Sequence, residues 1–388
     1  MEHTRVLVVD DSSFMRHAVA RLLNEAPGIE VVGNAANGQI GLEMARQLKP
    51  DVVTLDVEMP VLDGLGMLRR LMTEQPTRVI MLSSLTTDGA AVTMDALASG
   101  AVDFVAKPSG SLSIDIGRVG EDLVAKIHAA AGMSHAAFLA HCHRTISRSR
   151  PAAAPTVLNG SPAGRSDDPR ATSDTKALRL PQIASRYVVV VASSTGGPAA
   201  LQTLVSGLPD RLGAGMVIVQ HMPPGFTASL AGRLNTYCRL GVTEAAANDV
   251  IGDDHILLAP GDHHLISSAG GRVQLVRLPP VNGVRPAADV TLQSLAPVWR
   301  ERMLAVVLTG MGSDGTNGAL AVKKHGGTVL AQDEASATIY GMPRAVAEAG
   351  LADRVLSLDR MAGAIADWAA AAVRGAASTG RERVTARA

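Results

Sequence analysis

The sequence predicts an α/β protein: an N-terminal five-stranded, parallel, doubly wound domain, followed by a mainly parallel, Rossmann-like α/β domain with a short β-hairpin region. Three observations carry that prediction. The chain has 388 residues, which at roughly 100 to 200 residues per domain calls for two or three cores rather than one. It is 47% hydrophobic and 19% charged, too apolar for disorder and adequate for substantial cores. Short β-branched runs alternate with helix-period stretches in two separate blocks.

In the first block the strands are RVLVV (Arg5 to Val9), IEVVG (Ile29 to Gly33), DVVTL (Asp51 to Leu55), RVIML (Arg78 to Leu82) and VDFVA (Val102 to Ala106). Their continuous rather than alternating apolarity implies burial on both faces, as in a parallel sheet covered by helices. From Gly132 to Ser185 the periodicity fails among Pro151, Pro155, Pro162, Pro169 and Pro181, which reads as a linker. The βα rhythm returns from Arg186 with VVVVAS and GMVIVQ, and again with LAVVLT (Leu304 to Thr309) and GTVLAQ (Gly327 to Gln332). Between them, about Thr243 to Arg277 looks like short strands and hairpins, with turn signals at Gly252-Asp253 and Gly270-Gly271. The expected limits are 1–131 for the first domain, 132–185 for the linker, 186–374 for the second domain and 375–388 for a polar, frayed tail.

Composition narrows function. Lys plus Arg and Asp plus Glu both number 36 and cancel, so nothing in the total favours nucleic acid or an anionic membrane. Aromatics are 2%, too few to build base-stacking platforms. Cys142 and Cys238 lie far apart without C-x-x-C spacing, which fits a reducing cytoplasm better than a disulfide framework. His141-Cys142-His143, with His135 nearby, offers metal-type ligands, but no second cluster sits at a workable spacing and no metal is expected there. The apolar runs fall short of the roughly 18 to 20 residues of a membrane span, and Met1 and Glu2 lead directly into RVLVVDD with no signal core. The expectation is a cytoplasmic protein, monomeric, without membrane insertion.

Asp10 and Asp11 end the first strand, Asp56 the third and Lys107 the fifth. In an open parallel sheet all four converge beyond the carboxyl ends of the strands. Three carboxylates there repel one another unless a hard cation such as magnesium lies between them, with Lys107 supplying compensating charge. Helix capping by the aspartates is the plain alternative, but four convergent residues exceed what capping needs. The DD pair, TLDVEMPVLDG, MLSS and FVAKPS resemble the response-regulator receiver family over about Arg5 to Ala131. That resemblance implies that Asp56 accepts a phosphoryl group from a histidine kinase and that Asp10, Asp11 and Asp56 hold magnesium. It also implies that Ser83 is the hydroxyl that follows the phosphoryl oxygen and Phe104 the switch aromatic.

In the second block, Ser194 follows a strand and precedes Thr195-Gly196-Gly197-Pro198, a sharp turn into a helix. Capping and anion binding are its ordinary readings. His221 just past GMVIVQ and Asp314 just past LAVVLT shift the balance, because a serine needs a histidine to take its proton and the imidazole needs a carboxylate to orient it. The order Ser, His, Asp and the lack of G-x-S-x-G disfavour a lipase-type hydrolase. Gly310 to Gly315 also satisfies G-x-G-x-x-G, with Asp333 about 20 residues on, but it comes late in the domain and carries an aspartate where a pyrophosphate would lie. Glycines there equally let backbone amides approach an oxyanion.

SSTGGP, QHMPPGF, APGDHHL, VVLTGMGSDG and AQDEASATIYGMPRAV, spread over about Val188 to Val346, are similar to the CheB family of chemotaxis protein-glutamate methylesterases and glutamine deamidases. The receiver-linker-esterase order matches as well. The resemblance implies Ser194 as nucleophile, His221 as general base and then acid, Asp314 as its orienter, and the Met311 backbone amide in the oxyanion hole. It implies glutamyl methyl esters and some glutamines of chemoreceptors as substrates, with no cofactor for the esterase reaction. Two departures stand out: Ala192-Ser193 where the family usually has Gly-Ala, which makes Ser193 a decoy hydroxyl, and Pro286-Ala287-Ala288-Asp289 where it commonly reads PSVD. The receiver is expected to restrain the esterase edge until Asp56 is phosphorylated. A rival of another class is a phosphorylation-controlled docking module with a vestigial esterase site, against which the intact Ser194, His221 and Asp314 argue.

Overall fold

The structure, a computed structural model, describes residues 3–107, 115–148, 181–268 and 270–385. The first five strands are β1 (Thr4–Val9), β2 (Ile29–Ala35), β3 (Val52–Asp56), β4 (Arg78–Ser83) and β5 (Asp103–Ala106). They form one parallel sheet in the order β2-β1-β3-β4-β5. Helices α1 (Ser13–Glu25), α2 (Gly38–Leu48), α3 (Gly64–Glu74), α4 (Thr87–Ala98) and α5 (Asp115–Ala131) connect and cover it. The first four start on side-chain caps that satisfy free amides: Ser12, Asn37, Asp63 and Thr86 accept from Met15, Ile40, Gly66 and Gly89. Strand order reverses beside β1, so the crevice between the ends of β1 and β3 is the natural ligand site.

The expected linker is in part a helix. Helix α6 (His135–Arg148) starts on the Ser134 hydroxyl, which accepts from Ala137 N (3.1 Å), and it buries Phe138, His141, Cys142 and Thr145. Those positions are spaced i, i+3, i+4, i+7, a regular helical stripe. Two of the four are polar, which is why apolar periodicity did not disclose them. His141 and Cys142, weighed above as metal ligands, are turned into this packing: His141 Nε2 meets the Ala101 carbonyl (3.1 Å), and Cys142 Sγ faces Met72 Sδ (3.9 Å). The prolines at 151, 155, 162 and 169 lie outside the described residues.

The second sheet has seven parallel strands: β6 (Val188–Ser193), β7 (Gly215–Gln220), β8 (Gly241–Glu244), β9 (His255–Leu258), β12 (Met303–Val307), β13 (Thr328–Gln332) and β14 (Arg354–Leu356). Their order is β14-β13-β12-β6-β7-β9-β8. Among the described residues only β10 (His264–Ser267) and β11 (Val273–Val276) pair as antiparallel strands, turned at Gly270-Gly271, where both residues take positive φ. The Gly252-Asp253 signal instead belongs to the crossover between β8 and β9, which extend the main sheet. Helices α7 (Gly197–Ser206), α8 (Phe226–Tyr237), α9 (Ala288–Trp299), α10 (Thr316–Lys324), α11 (Met342–Glu348) and α12 (Leu358–Thr385) cover it. Helix α12 continues to Thr385, into the segment expected to fray, where Ala, Arg and Glu favour helix.

An apolar cluster continues from Val6 and Phe104 in the first domain to Phe226, Leu230 and Leu201 in the second. The two domains are therefore packed on one another through α4, β5, α7 and α8, with α6 wedged beside them. Among the described residues no single helix is long and apolar enough to cross a membrane. The bent pair α5 and α6, which passes by composition, turns by 104° and buries Leu123, Ile127 and Phe138 within the molecule.

Candidate functional site

The strand order brings the acidic residues together. Carboxylate oxygens of Asp10, Asp11 and Asp56 all lie within 4.8 Å of one another, Asp10 and Asp56 buried and Asp11 exposed. Lys107 Nζ is 2.9 Å from Asp10 Oδ2 and 2.8 Å from Asp56 Oδ1. Burial pushes the Asp56 carboxyl up, the Asp10 charge adds to that, and Lys107 offsets only part of it. Burial disfavours the Lys107 ammonium, but the two carboxylates outweigh it and hold its pKa above the ordinary value. Asp10 Oδ2 is buried and, although near Lys107, makes no hydrogen bond of good geometry. Such an oxygen, beside two more carboxylates, suits a hard divalent cation, and the residues fit magnesium.

Ser83 and Phe104 sit close by but are engaged elsewhere. The Ser83 hydroxyl faces α4, donating to Gly89 O (3.2 Å) and accepting from Thr93 Oγ1 (2.7 Å). Phe104 points across the domain boundary and stacks on Phe226 at 4.5 Å between centroids.

The second site lies at the corresponding reversal in the larger sheet, where β6 has β12 on one side and β7 on the other. Ser193 pairs with Gln220, so Ser194 and His221 are neighbours one residue beyond that pair, and His221 N donates to Ser193 O (3.1 Å). The Ser194 turn closes tightly. Gly196 takes φ 75°, and a Cβ at Gly197 would collide with the Gln220 side chain. Ser194 N donates to Thr309 O (3.0 Å), while a Cβ at Gly310 would lie 2.8 Å from that of Ser194. The Gly310 to Gly315 loop therefore reaches the serine directly.

His221 Nε2 is 2.7 Å from Asp314 Oδ2. An ionised carboxylate only accepts, so in the neutral ring Nε2 carries the proton and Nδ1 the lone pair. Burial pushes the Asp314 carboxyl up, but His221 and the amides of Asp289 and Ala288 prevail and hold it below the ordinary value. Among the described residues the Ser194 hydroxyl and the Met311 amide make no hydrogen bond, leaving both free for a ligand. Ser193, the decoy hydroxyl, is fully buried and donates to Gln220 Oε1 (2.7 Å).

Three contributors escaped the sequence reading. Gln220 Nε2 donates to the carbonyls of Ser194 (2.9 Å) and His221 (3.2 Å), clamping the two loops together. Thr195, next to the serine, donates to Asp103 Oδ2 of the first domain (2.6 Å). Asp289 caps the loop that bears Asp314. A glutamine ending a buried strand and an aspartate in the first turn of a helix are the available signals, and neither names its partner.

Comparison with known proteins follows the same division. The family model described as CheB methylesterase matches residues 189–365, and the response regulator receiver domain model matches residues 6–114. Three relatives bear the name protein-glutamate methylesterase/protein-glutamine glutaminase. That of Symbiobacterium thermophilum is 47% identical, covering 93% of this chain and 96% of its own length. That of Geobacillus kaustophilus is 43% identical (94% and 98% covered), and that of Thermotoga maritima 42% identical (91% and 94%).

Proposed function

The chain belongs to the family of protein-glutamate methylesterase/protein-glutamine glutaminases with an N-terminal receiver domain, and from that premise we propose that it is a phosphorylation-regulated esterase of chemoreceptor glutamyl methyl esters. Deamidation of specific receptor glutamines is the companion reaction. We propose 1–131 as the receiver, 186–374 as the esterase domain, and the cytoplasm as the place of work. The observation that carries the reading is the convergence of Ser194, His221 and Asp314 at the reversal point of the second sheet.

In this mechanism Ser194 Oγ attacks the glutamyl carbonyl while His221 Nδ1 takes its proton. Asp314, bonded to Nε2, steadies the imidazolium. The Met311 amide donates to the oxyanion. Collapse breaks the C–O bond of the ester, or the C–N bond of the amide, and His221 returns the proton to the leaving group, which departs as methanol or ammonia. Water, deprotonated by His221, then hydrolyses the acyl-serine to glutamate and free Ser194.

At the receiver, Asp56 is the phosphoryl acceptor from a histidine kinase, and Asp10, Asp11 and Asp56 would hold magnesium, which would supply charge neutralisation for the transfer. The added charge at Asp56 competes for Lys107, the residue that follows the end of β5.

The test is release of labelled methanol from methylated chemoreceptor membranes, with and without a small-molecule phosphodonor. Ser194→Ala is expected to abolish release. Asp56→Asn is expected to keep basal release and lose the stimulation. Equal release by Ser194→Ala rejects the esterase reading, and full stimulation of Asp56→Asn rejects the switch.

A further inference from the structure

This inference rests on the proposed esterase reading and extends it to a residue outside Ser194, His221 and Asp314. Helices α9 and α10 begin face to face. The Asp314 carboxylate, on the loop before α10, accepts the amide hydrogens of Ala288 (2.6 Å) and Asp289 (3.0 Å) at the start of α9. Asp289, in the first turn of α9, returns the contact: its Oδ1 accepts from Gly315 N (2.9 Å) and Gly318 N (2.7 Å) at the start of α10. Its Oδ2 faces the side-chain amides of Asn317 (3.3 Å) and Asn282 (3.4 Å), and Asn282 also faces Asp314 Oδ1 (3.5 Å). Asp289 is 2% exposed. A buried carboxylate is costly unless compensated, and here two helix N-termini and a set of N–H groups do so.

We propose that Asp289 is a positioning residue of the esterase site: it locks the loop that carries both Asp314 and the Met311 amide, and its charge joins that of Asp314 in stabilising the His221 imidazolium. The start of each helix is capped by an aspartate in or just before the first turn of the other, so neither carboxylate moves without disturbing its opposite number. Burial pushes the Asp289 carboxyl up, the Asp314 charge adds to this, and the Gly315 and Gly318 amides and Asn317 pull it back. The titratable groups facing Asp289 are Asp314 and, through it, His221. His264, whose Nδ1 accepts from Ala287 N (3.1 Å), fixes the residue before α9. Arg285 and Arg277 pair with Asp262 and leave the two carboxylates to each other.

The experiment measures the pH profile of kcat/KM for methanol release by the full chain, alongside the rate at which a fluorophosphonate labels Ser194. Asp289→Asn keeps an acceptor oxygen but loses the charge, so its acid limb is expected to move down by about 0.5 to 1 pH unit. Asp289→Ala loses the cap as well, and kcat is expected to fall roughly 10- to 100-fold with little change in KM. Asn282→Gly removes a donor from both carboxylates at an exposed position of φ 53°, which glycine accepts, and is expected to move the limb up. An unmoved acid limb in folded Asp289→Asn overturns the proposal. Should that variant not fold, an unmoved limb in Asn282→Gly overturns it equally. Failure of the underlying reading looks different, because wild type then releases no methanol beyond Ser194→Ala at any pH.

Discussion

Asp314 joins the His221 imidazole to two backbone amides and the Asn282 side chain, and it is where a single-atom change is most informative. In Asp314→Asn the Oδ2 that accepts from His221 Nε2 is replaced by, or competes with, an amide donor, which favours the wrong tautomer. The expected result is a fall in kcat of roughly 10⁴-fold with the fold retained, checked by methanol release and by unchanged circular dichroism. A fall of less than tenfold would mean that Nε2 is not the nitrogen that needs a carboxylate. Ser194, His221, Asp314, Asp56 and Lys107 were singled out in the sequence because each sits at the carboxyl end of a recognisable strand or in the loop just beyond it, and topology places such ends together. Gln220, Thr195 and Asp289 were not, because their roles are hydrogen bonds to atoms distant in the chain, and nothing in their local sequence names the acceptor.

Helix α6 makes the same point one scale up. Its buried stripe of Phe138, His141, Cys142 and Thr145 has the right spacing, but a histidine and a threonine interrupt the apolar signal, so the segment read as linker. Each is buried with partners: His141 meets Ala101 O and Thr338 Oγ1 (3.3 Å), and Thr145 bonds back to His141 O (3.1 Å). Burial, then the Arg144 charge, lower the His141 pKa to about 4, against smaller upward pulls from the Ala101 and Gly100 carbonyls and the Asp103 charge. A histidine whose folded pKa lies below its ordinary 6.5 binds its proton more readily when unfolded. Its contribution is therefore complete above pH 6.5 and is lost as the pH falls towards 4, amounting to roughly 3 kcal/mol at the acid end. In urea titrations between pH 7 and 4.5, wild type is expected to lose stability more steeply than His141→Gln, which cannot take the charge. Parallel curves would mean that α6 detaches before His141 titrates.

For the whole molecule, both sites lie at sheet reversals, and the seam between the domains joins them. Lys107, bonded to Asp56, lies just past the strand that carries Asp103 and Phe104. Asp103 accepts from Thr195, the residue after Ser194, and Phe104 stacks on Phe226 at the start of the helix that follows His221. The sequence supplied the two ends of this path and an expectation of restraint. It was silent on the path, because apolar packing set around the Phe104–Phe226 stack, the Thr195–Asp103 hydrogen bond and the Arg233–Asp95 ion pair (2.7 Å) leaves no periodic trace. If the closed seam holds the esterase back, then weakening the seam away from both sites must raise unphosphorylated activity and leave the stimulated rate alone. Arg233→Ala is the suitable change, since the pair is partly exposed and worth at most about 1 kcal/mol, or roughly fivefold in the open fraction. Basal methanol release is expected to rise about two- to fivefold, and wild-type basal release to rise with ionic strength while that of Arg233→Ala does not. A variant with the same basal rate and the same salt response as wild type would detach this ion pair from control of the esterase and leave the restraint to Phe104 and Asp103.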